Sequence, residues 1–264
     1  EMQVLTGAYS AEFGRAAGGV INVISRSGTN AYRYGAMSLY RPNDWAARPP
    51  LAATKPQQEW WMVQGNAGGP LVRDKVFFFA NYEYNPLKAP QPFHTPSLKV
   101  NYRATNRHSG FLRYTRFTND QPGAGGGLTT PSRSVSFKDR MFGLGGQLAS
   151  TFGTSLLNEL RVGFNRRAEE RAPYGQGAAS GAHINITGVA NFGVNPLAGS
   201  ASTEASLQVI DNLTWTRGRH SVKTGIDYQT TNFDVTSAQA RIFTFSGLAA
   251  SGGIVWAVRL IGTA

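Results

Sequence analysis

The sequence predicts an all-β chain, a partial antiparallel β-barrel of the transmembrane kind, and three observations lead there. Apolar and polar residues alternate with a period of two over segments of about ten residues, the length of a tilted bilayer crossing. Short turns alternate with long polar loops, the asymmetry of outer-membrane barrels. The composition, with 31 Gly, 13 Pro and 11% aromatic residues in a chain of 264, suits strands and turns and suits helices poorly.

The elements follow in order. Glu1 to Leu5 lack a basic n-region and an apolar h-region, so they are not read as a signal peptide, and residues 2–6 read as a short strand. Gly14-Arg15-Ala16-Ala17-Gly18-Gly19 leads into Val20-Ile21-Asn22-Val23-Ile24, β-branched at four of five positions. Ser25-Arg26-Ser27-Gly28-Thr29-Asn30 then breaks that strand with turn residues. A strand so bounded is expected to end one unit, residues 1–30, and to lead into a second, residues 31–264. Residues 31–40 form the first long alternating segment, and Pro42, Pro49, Pro50 and Pro56 mark a loop after it. Trp60 to Ala67 runs to an expected tight turn at Gly68-Gly69-Pro70, and Lys75 to Tyr84 leaves it. Phe77-Phe78-Phe79, Tyr82 and Tyr84 on the second strand suit core packing or, in a membrane barrel, an aromatic girdle at headgroup level.

The clearest pattern lies in 97–118. Leu98, Val100 and Tyr102 alternate with Lys99, Asn101 and Arg103; Asn106-Arg107-His108 reads as the turn; the return strand sets Leu112 and Tyr114 between Phe111, Arg113 and Thr115. A Gly-rich loop is expected over 119–135. Residues 141–151 then alternate Phe142, Leu144 and Leu148 with Gly143, Gly145 and Gln147. The strand 156–167 sets Leu160, Val162 and Phe164 against Glu159, Arg161, Asn165 and Arg167. Residues 168–204 read as one long polar loop. The last clear hairpin has Leu207, Val209, Leu213 and Trp215 on one face, turns through 217–220, and sets Val222, Ile226 and Tyr228 against Lys223, Asp227 and Gln229. Segments 241–246 and 253–260 read as further strands, for a total of nine or ten after residue 30.

The formal charge of +11, from 26 Lys and Arg against 15 acids, suits nucleic acid, anionic lipid or acidic polysaccharide as a partner. The cations occur singly along strands and beside turns, and no recognition motif is present, so no nucleic-acid partner is expected. Arginines near an anionic outer leaflet or inside a wet lumen account for the charge. With no cysteine, neither a disulfide nor a thiolate metal site can form. No stretch reaches the roughly 18 apolar residues of a membrane helix. His94, His108, His183 and His220 are widely spaced and have no metal-ligand spacing. Gly123–Gly127 lacks the Lys-Ser or Lys-Thr of a phosphate loop, and Gly143-Leu144-Gly145-Gly146 opens no helix. No catalytic residue, cofactor or metal is assigned. The candidates for functional contact are charged residues on the polar strand face: Arg103, Arg113, Glu159, Arg161, Lys223 and Asp227. Hydration of a lumen is their simpler role.

Val4-Leu5-Thr6-Gly7, Phe13-Gly14 and Gly18-Gly19-Val20-Ile21-Asn22-Val23-Ile24-Ser25-Arg26 together resemble the end of the plug domain in TonB-dependent outer-membrane receptors. Tyr9-Ser10-Ala11-Glu12-Phe13-Gly14-Arg15, the run Gly68–Phe79 and Asn158-Glu159-Leu160-Arg161-Val162-Gly163-Phe164 resemble the Oar-like subgroup. The resemblance implies that residues 1–30 are the C-terminal end of a plug and that 31–264 are the N-terminal part of the surrounding wall. Gly14, Arg15, Gly18, Gly19, Val20, Asn22 and Arg26 would form the plug-end motif, with Arg15 and Arg26 tying plug to wall. Receptors of this kind have about 22 strands, so a fragment is expected, with the front of the plug and the energy-coupling segment outside it. The implied location is the outer membrane. The implied partners are outer-membrane lipid and lipopolysaccharide, a TonB-type energy-coupling protein and an unknown large solute. The implied activity is import; a surface binding or adhesion barrel without transport is the alternative, and a secreted β-sandwich enzyme is disfavoured by the missing catalytic residues.

Overall fold

The computed structural model describes residues 2–5, 20–45, 47, 55, 59–85, 93–123, 130–175, 177, 181–237, 240–245 and 258–260. Two short strands come first, β1 (Met2–Leu5) and β2 (Val20–Val23), which pair antiparallel with Leu5 opposite Val20. The wall then begins with β3 (Arg33–Arg41), β4 (Trp60–Val72), β5 (Val76–Asn85), β6 (Phe93–Arg103), β7 (His108–Gln121), β8 (Val135–Phe152) and β9 (Leu156–Pro173). After β10 (Gly181–Ile186) and β11 (Ala190–Gly193) it resumes with β12 (Ser200–Arg217) and β13 (His220–Thr236). β14 (Ala240–Phe245) and β15 (Val258–Leu260) follow.

Nine strands make one antiparallel sheet in the order β13-β12-β9-β8-β7-β6-β5-β4-β3. Every connection at one end is short: 73–75, 104–107, 153–155 and 218–219. The other end carries 42–59, 86–92, 122–134 and 174–199. The segregation of loop lengths read from the sequence is therefore present; the wall sheet holds nine strands and a separate sheet four more, so the described residues after residue 30 carry thirteen strands where nine or ten were expected.

The sheet differs from expectation in four places. Gly68-Gly69-Pro70 lies inside β4, and the chain turns at Arg73-Asp74-Lys75, where Asp74 takes φ 62°. The register shifts between Pro70 and Val72, and such an irregularity is where a strand tolerates a residue with no N–H to donate. The turn before β7 occupies 104–107, starting two residues and ending one residue before the expected 106–108. β8, β9, β12 and β13 run for 18, 18, 18 and 17 residues, well beyond the expected ten, and the added length lies at the long-loop end. The segment expected to be one loop over 168–204 holds the end of β9, a small hairpin and the start of β12. That hairpin belongs to a separate sheet, β11-β10-β14-β15, in which β10 and β14 pair parallel. The 241–246 strand is thus real but lies outside the wall, and of 253–260 the described part is β15.

Directly paired residues share a face, and the register from β5 to β13 has no break. One face carries Leu98, Val100, Leu112, Leu144, Val162, Phe164, Leu207 and Val209. The other carries Lys99, Asn101, Arg113, Gln147, Arg161 and Gln208. The apolar side faces outward: Leu112 is 66% exposed, whereas Lys99 on the polar side is 8% exposed and Asp139 only 4%. A water-soluble sheet would show the reverse ordering. The aromatic cluster divides accordingly. Phe78, Tyr82 and Tyr84 join Tyr40 and Trp61 on the apolar face, while Phe77 and Phe79 turn to the polar face. Polar tips in this group are engaged: Trp61 Nε1 donates to Ser38 Oγ at 2.8 Å and Tyr40 Oη donates to Glu59 Oε1 at 2.8 Å. Such rings have an apolar body and a wet end, as a headgroup-level girdle requires.

Candidate functional site

The polar face is where this chain gathers its chemistry. Across the middle of the wall the register aligns Arg33, Gly68, Phe79, Lys99, Arg113, Gly145, Gly163, Gln208 and Gln229 in one row. Lys99 and Arg113 sit directly opposite each other, and Lys99 is held by the Phe111 ring, 4.5 Å from Nζ to centroid, and by a hydrogen bond donated to the Ser25 carbonyl at 3.4 Å.

That last bond brings the segment before β3 onto the wall. Asn30 Nδ2 donates to Asp74 Oδ1 at 2.6 Å and the Asp74 amide donates to Asn30 Oδ1 at 2.9 Å. Tyr32 Oη donates to the Pro70 carbonyl at 3.0 Å. Gly28 sits so close that a Cβ would meet the carbonyl oxygens of Phe78 and Gly69. Glycine is needed here for close approach of two backbones. A cavity of about 390 Å³ lies between this segment and the first strands, lined by Arg26, Arg33, Thr29 and Asn66 among others. Of the expected motif residues, Gly14, Arg15, Gly18 and Gly19 lie outside the described residues. Val20 and Asn22 are in β2, and Arg26 lines the cavity.

All six charged candidates lie on the polar face: Arg103, Arg113, Glu159, Arg161, Lys223 and Asp227. They do not form one cluster. Glu159 accepts from Gln147 Nε2 at 3.2 Å and from Arg161 at 3.4 Å, and Asp227 accepts from Gln208 Nε2 at 2.9 Å. Arg103 stands near the short-turn end opposite Ser109, and Lys223 opposite Thr214.

The densest network was not among them. Arg167 donates through Nε and a terminal nitrogen to the two oxygens of Asp139 at 2.9 and 2.8 Å, and approaches Glu169 at 2.8 Å. Arg171 stacks over Phe137 at 4.6 Å and lies 3.9 Å from Glu169. The signal was present as the period-2 series Asn165, Arg167, Glu169, Arg171, which continues the strand into residues assigned to a loop.

At the long-loop end, the turn at Pro131–Arg133 meets the small sheet: the Thr130 amide donates to the Asn191 carbonyl at 3.0 Å, and Asn195 Nδ2 donates to the Arg133 carbonyl at 3.2 Å. His183 is buried here, its Nδ1 without a partner among the described residues. Burial, with the Arg133 charge behind it, lowers the His183 pKa below its ordinary value; a hydrogen bond with the Val194 backbone pulls weakly the other way. Among the described residues no three side chains of metal-ligating type converge.

With this geometry in hand, the comparisons with known proteins are specific. Residues 24–93 and 84–259 match the family model described as an outer membrane beta barrel domain. Over 96 residues the chain is 31% identical to the TonB-dependent transporter Oar of Myxococcus xanthus, a match covering 31% of this chain and 8% of that protein. The chain therefore spans a small part of that relative's length. The outer membrane transporter YddB from Escherichia coli superposes with a TM-score of 0.64 over 93% of this chain and 36% of its own, at 12% identity, a likeness of fold.

Proposed function

This chain belongs to the outer membrane beta-barrel domain family, and on that premise we propose that it is the first part of the wall of a TonB-dependent importer, entered from the end of its plug. The reading rests on one observation above the others: the segment 25–30 lies against the polar face, where Lys99 donates to the Ser25 carbonyl and Gly28 packs beside Gly68, and Asn30 ties its end to Asp74. A segment arriving on the lumen side is what a plug-to-wall connection needs. Residues 1–30 are then the plug end, with Gly14, Arg15, Gly18 and Gly19 in its approach. The polar face, rich in fixed amides and guanidinium groups, lines the route of a large hydrophilic solute. Energy would come from the inner membrane through a TonB-type protein acting on the plug. The candidate residues Arg103, Arg113, Glu159, Arg161, Lys223 and Asp227 hydrate the route and position the plug; none performs covalent chemistry.

The small sheet at the long-loop end favours a second reading, a surface binding barrel that does not transport. Uptake by cells with and without the gene, measured with the proton gradient intact and then dissipated, separates the two. Gradient-dependent uptake of at least one large solute that disappears on deletion is the expected result. Unchanged uptake of every tested solute, with loss of surface binding, would favour the second reading.

A further inference from the structure

The cavity of about 390 Å³ between the segment 25–30 and the first strands is lined by charge of one sign. Arg26 contributes to it from the segment and Arg33 from β3; Ser27, Thr29 and Asn66 add hydroxyl and amide groups, and no carboxylate lines it. The deficit of acids extends along the wall. The three rows of the polar face that cross β4 to β8 through Asn66, Gly68 and Pro70 hold no Asp or Glu. Asp74, in the adjoining turn, already accepts from Asn30 at 2.6 Å. Arg26 and Arg33 have no ion pair among the described residues. The Gly68 row adds two further cations. Lys99 is fixed on the Ser25 carbonyl and over the Phe111 ring, and a terminal nitrogen of Arg113 lies 3.8 Å from where a Gly145 Cβ would stand.

Cations gathered in a concavity without counter-charge raise a positive potential that concentrates anions. Arginine selects among them, because its planar fork donates two parallel hydrogen bonds to the oxygens of a carboxylate or a phosphate. The space is sufficient. Small-molecule sites run from about 300 to 1,000 Å³, and a water takes only about 30 Å³. The two arginines are also brought to one place by parts of the chain that touch: the position of a Gly68 Cβ is 3.7 Å from Gly28 Cα. Glycine at both positions is what lets the segment come this close to the wall.

We propose that this cavity binds a small multivalent oxyanion, of the phosphate or dicarboxylate type, held by Arg26 and Arg33 together. Arg26 belongs to the segment and Arg33 to the wall, so a ligand on both ties one to the other. Anion binding and seating of the segment are then linked, each strengthening the other by the same factor. The proposal rests on the reading of 25–30 as the plug-to-wall connection, and it adds control of that connection by an anion.

The test uses the intact outer-membrane protein that contains this chain, in detergent. Pyrophosphate, inorganic phosphate and succinate are titrated by calorimetry, and protease cleavage near residue 28 is timed with each, against sodium chloride at matched ionic strength. Saturable binding is expected, with cleavage slowed about fivefold at saturation. Tighter binding of the phosphates or of succinate identifies which oxyanion the site takes. R26Q/R33Q should weaken binding about tenfold and abolish the protection. R217Q/R219Q, in a distant short turn, should change neither. Binding by none of the three oxyanions, binding unchanged in R26Q/R33Q, or equal protection by chloride would overturn the proposal. Heat-modifiable mobility of each variant reports that the barrel has formed. Gradient-dependent uptake keeps the two readings apart: anion binding without uptake would contradict the importer and leave the site standing, whereas uptake without anion binding would contradict the site alone.

Discussion

Asp139 is 4% exposed and depends on the two hydrogen bonds from Arg167 for its charge to be tolerated at that depth. Arg167→Ala leaves that carboxylate buried without its fork and is expected to cost roughly 2–3 kcal/mol, read as a lower midpoint of urea unfolding in vesicles. Arg167→Lys should recover less than half of the loss, because an ammonium cannot bridge both oxygens. His183 makes a prediction of the opposite kind. Its folded pKa is depressed, so the unfolded lobe binds the proton more readily, and stability present above about pH 6.5 is lost as the pH falls below it. Amide exchange in β10 and β11 should therefore accelerate between pH 7 and pH 5, relative to the intrinsic rate, and His183→Gln should remove that dependence. Neither role was legible in the sequence, since both depend on partners far along the chain: Arg167 on Asp139, and His183 on Arg133 and Val194. The side to which Arg103, Arg113, Glu159, Arg161, Lys223 and Asp227 point could be read from a strand's period of two, whereas Arg116, Arg140 and Arg166 lie on the apolar face and were given no side.

At the scale of elements, the hairpins were legible wherever a polar turn broke two alternating runs, as at 153–155 and 218–219. They were misread where glycine and proline imitated a turn. Gly68-Gly69-Pro70 continues as strand because Gly28 and Tyr32 approach it closely; a Cβ on Gly69 would collide with the Tyr32 ring. The glycines answer a packing demand from another segment, and nothing local announces that. The β10–β14 parallel pair was similarly beyond reach, since it joins two stretches separated by the whole β12–β13 hairpin. The seat of the 25–30 segment gives a direct check. Gly28→Val places a side chain against the Phe78 and Gly69 carbonyls, and is expected to unseat the segment, seen as faster protease cleavage near residue 28 in the intact protein. Gly163→Ala, with nothing within 4 Å of its Cβ, should leave that rate unchanged.

The whole molecule is organised by an inverted distribution of polarity, with Leu98, Leu112 and Leu144 outward and Lys99, Asp139 and Arg167 on the opposite face. Its two free edges, β3 and β13, would template association, and Ile226 and Tyr228 on β13 are 74% and 58% exposed. Residues 31–264 expressed alone should consequently self-associate in detergent, giving a broad distribution by light scattering, whereas the intact protein should be monodisperse. Across the middle of β8, residues 141–149, even-numbered side chains are to meet lipid and odd-numbered ones water. Because the chain has no cysteine, single cysteines can be placed at positions 141–149 of the intact protein without background from this chain. Each would carry a fluorophore and be challenged with brominated lipid and with aqueous iodide. Quenching by the lipid is expected at 142, 144, 146 and 148 and by iodide at 141, 143, 145, 147 and 149; uniform quenching by either agent, or the opposite alternation, would overturn the assignment of faces.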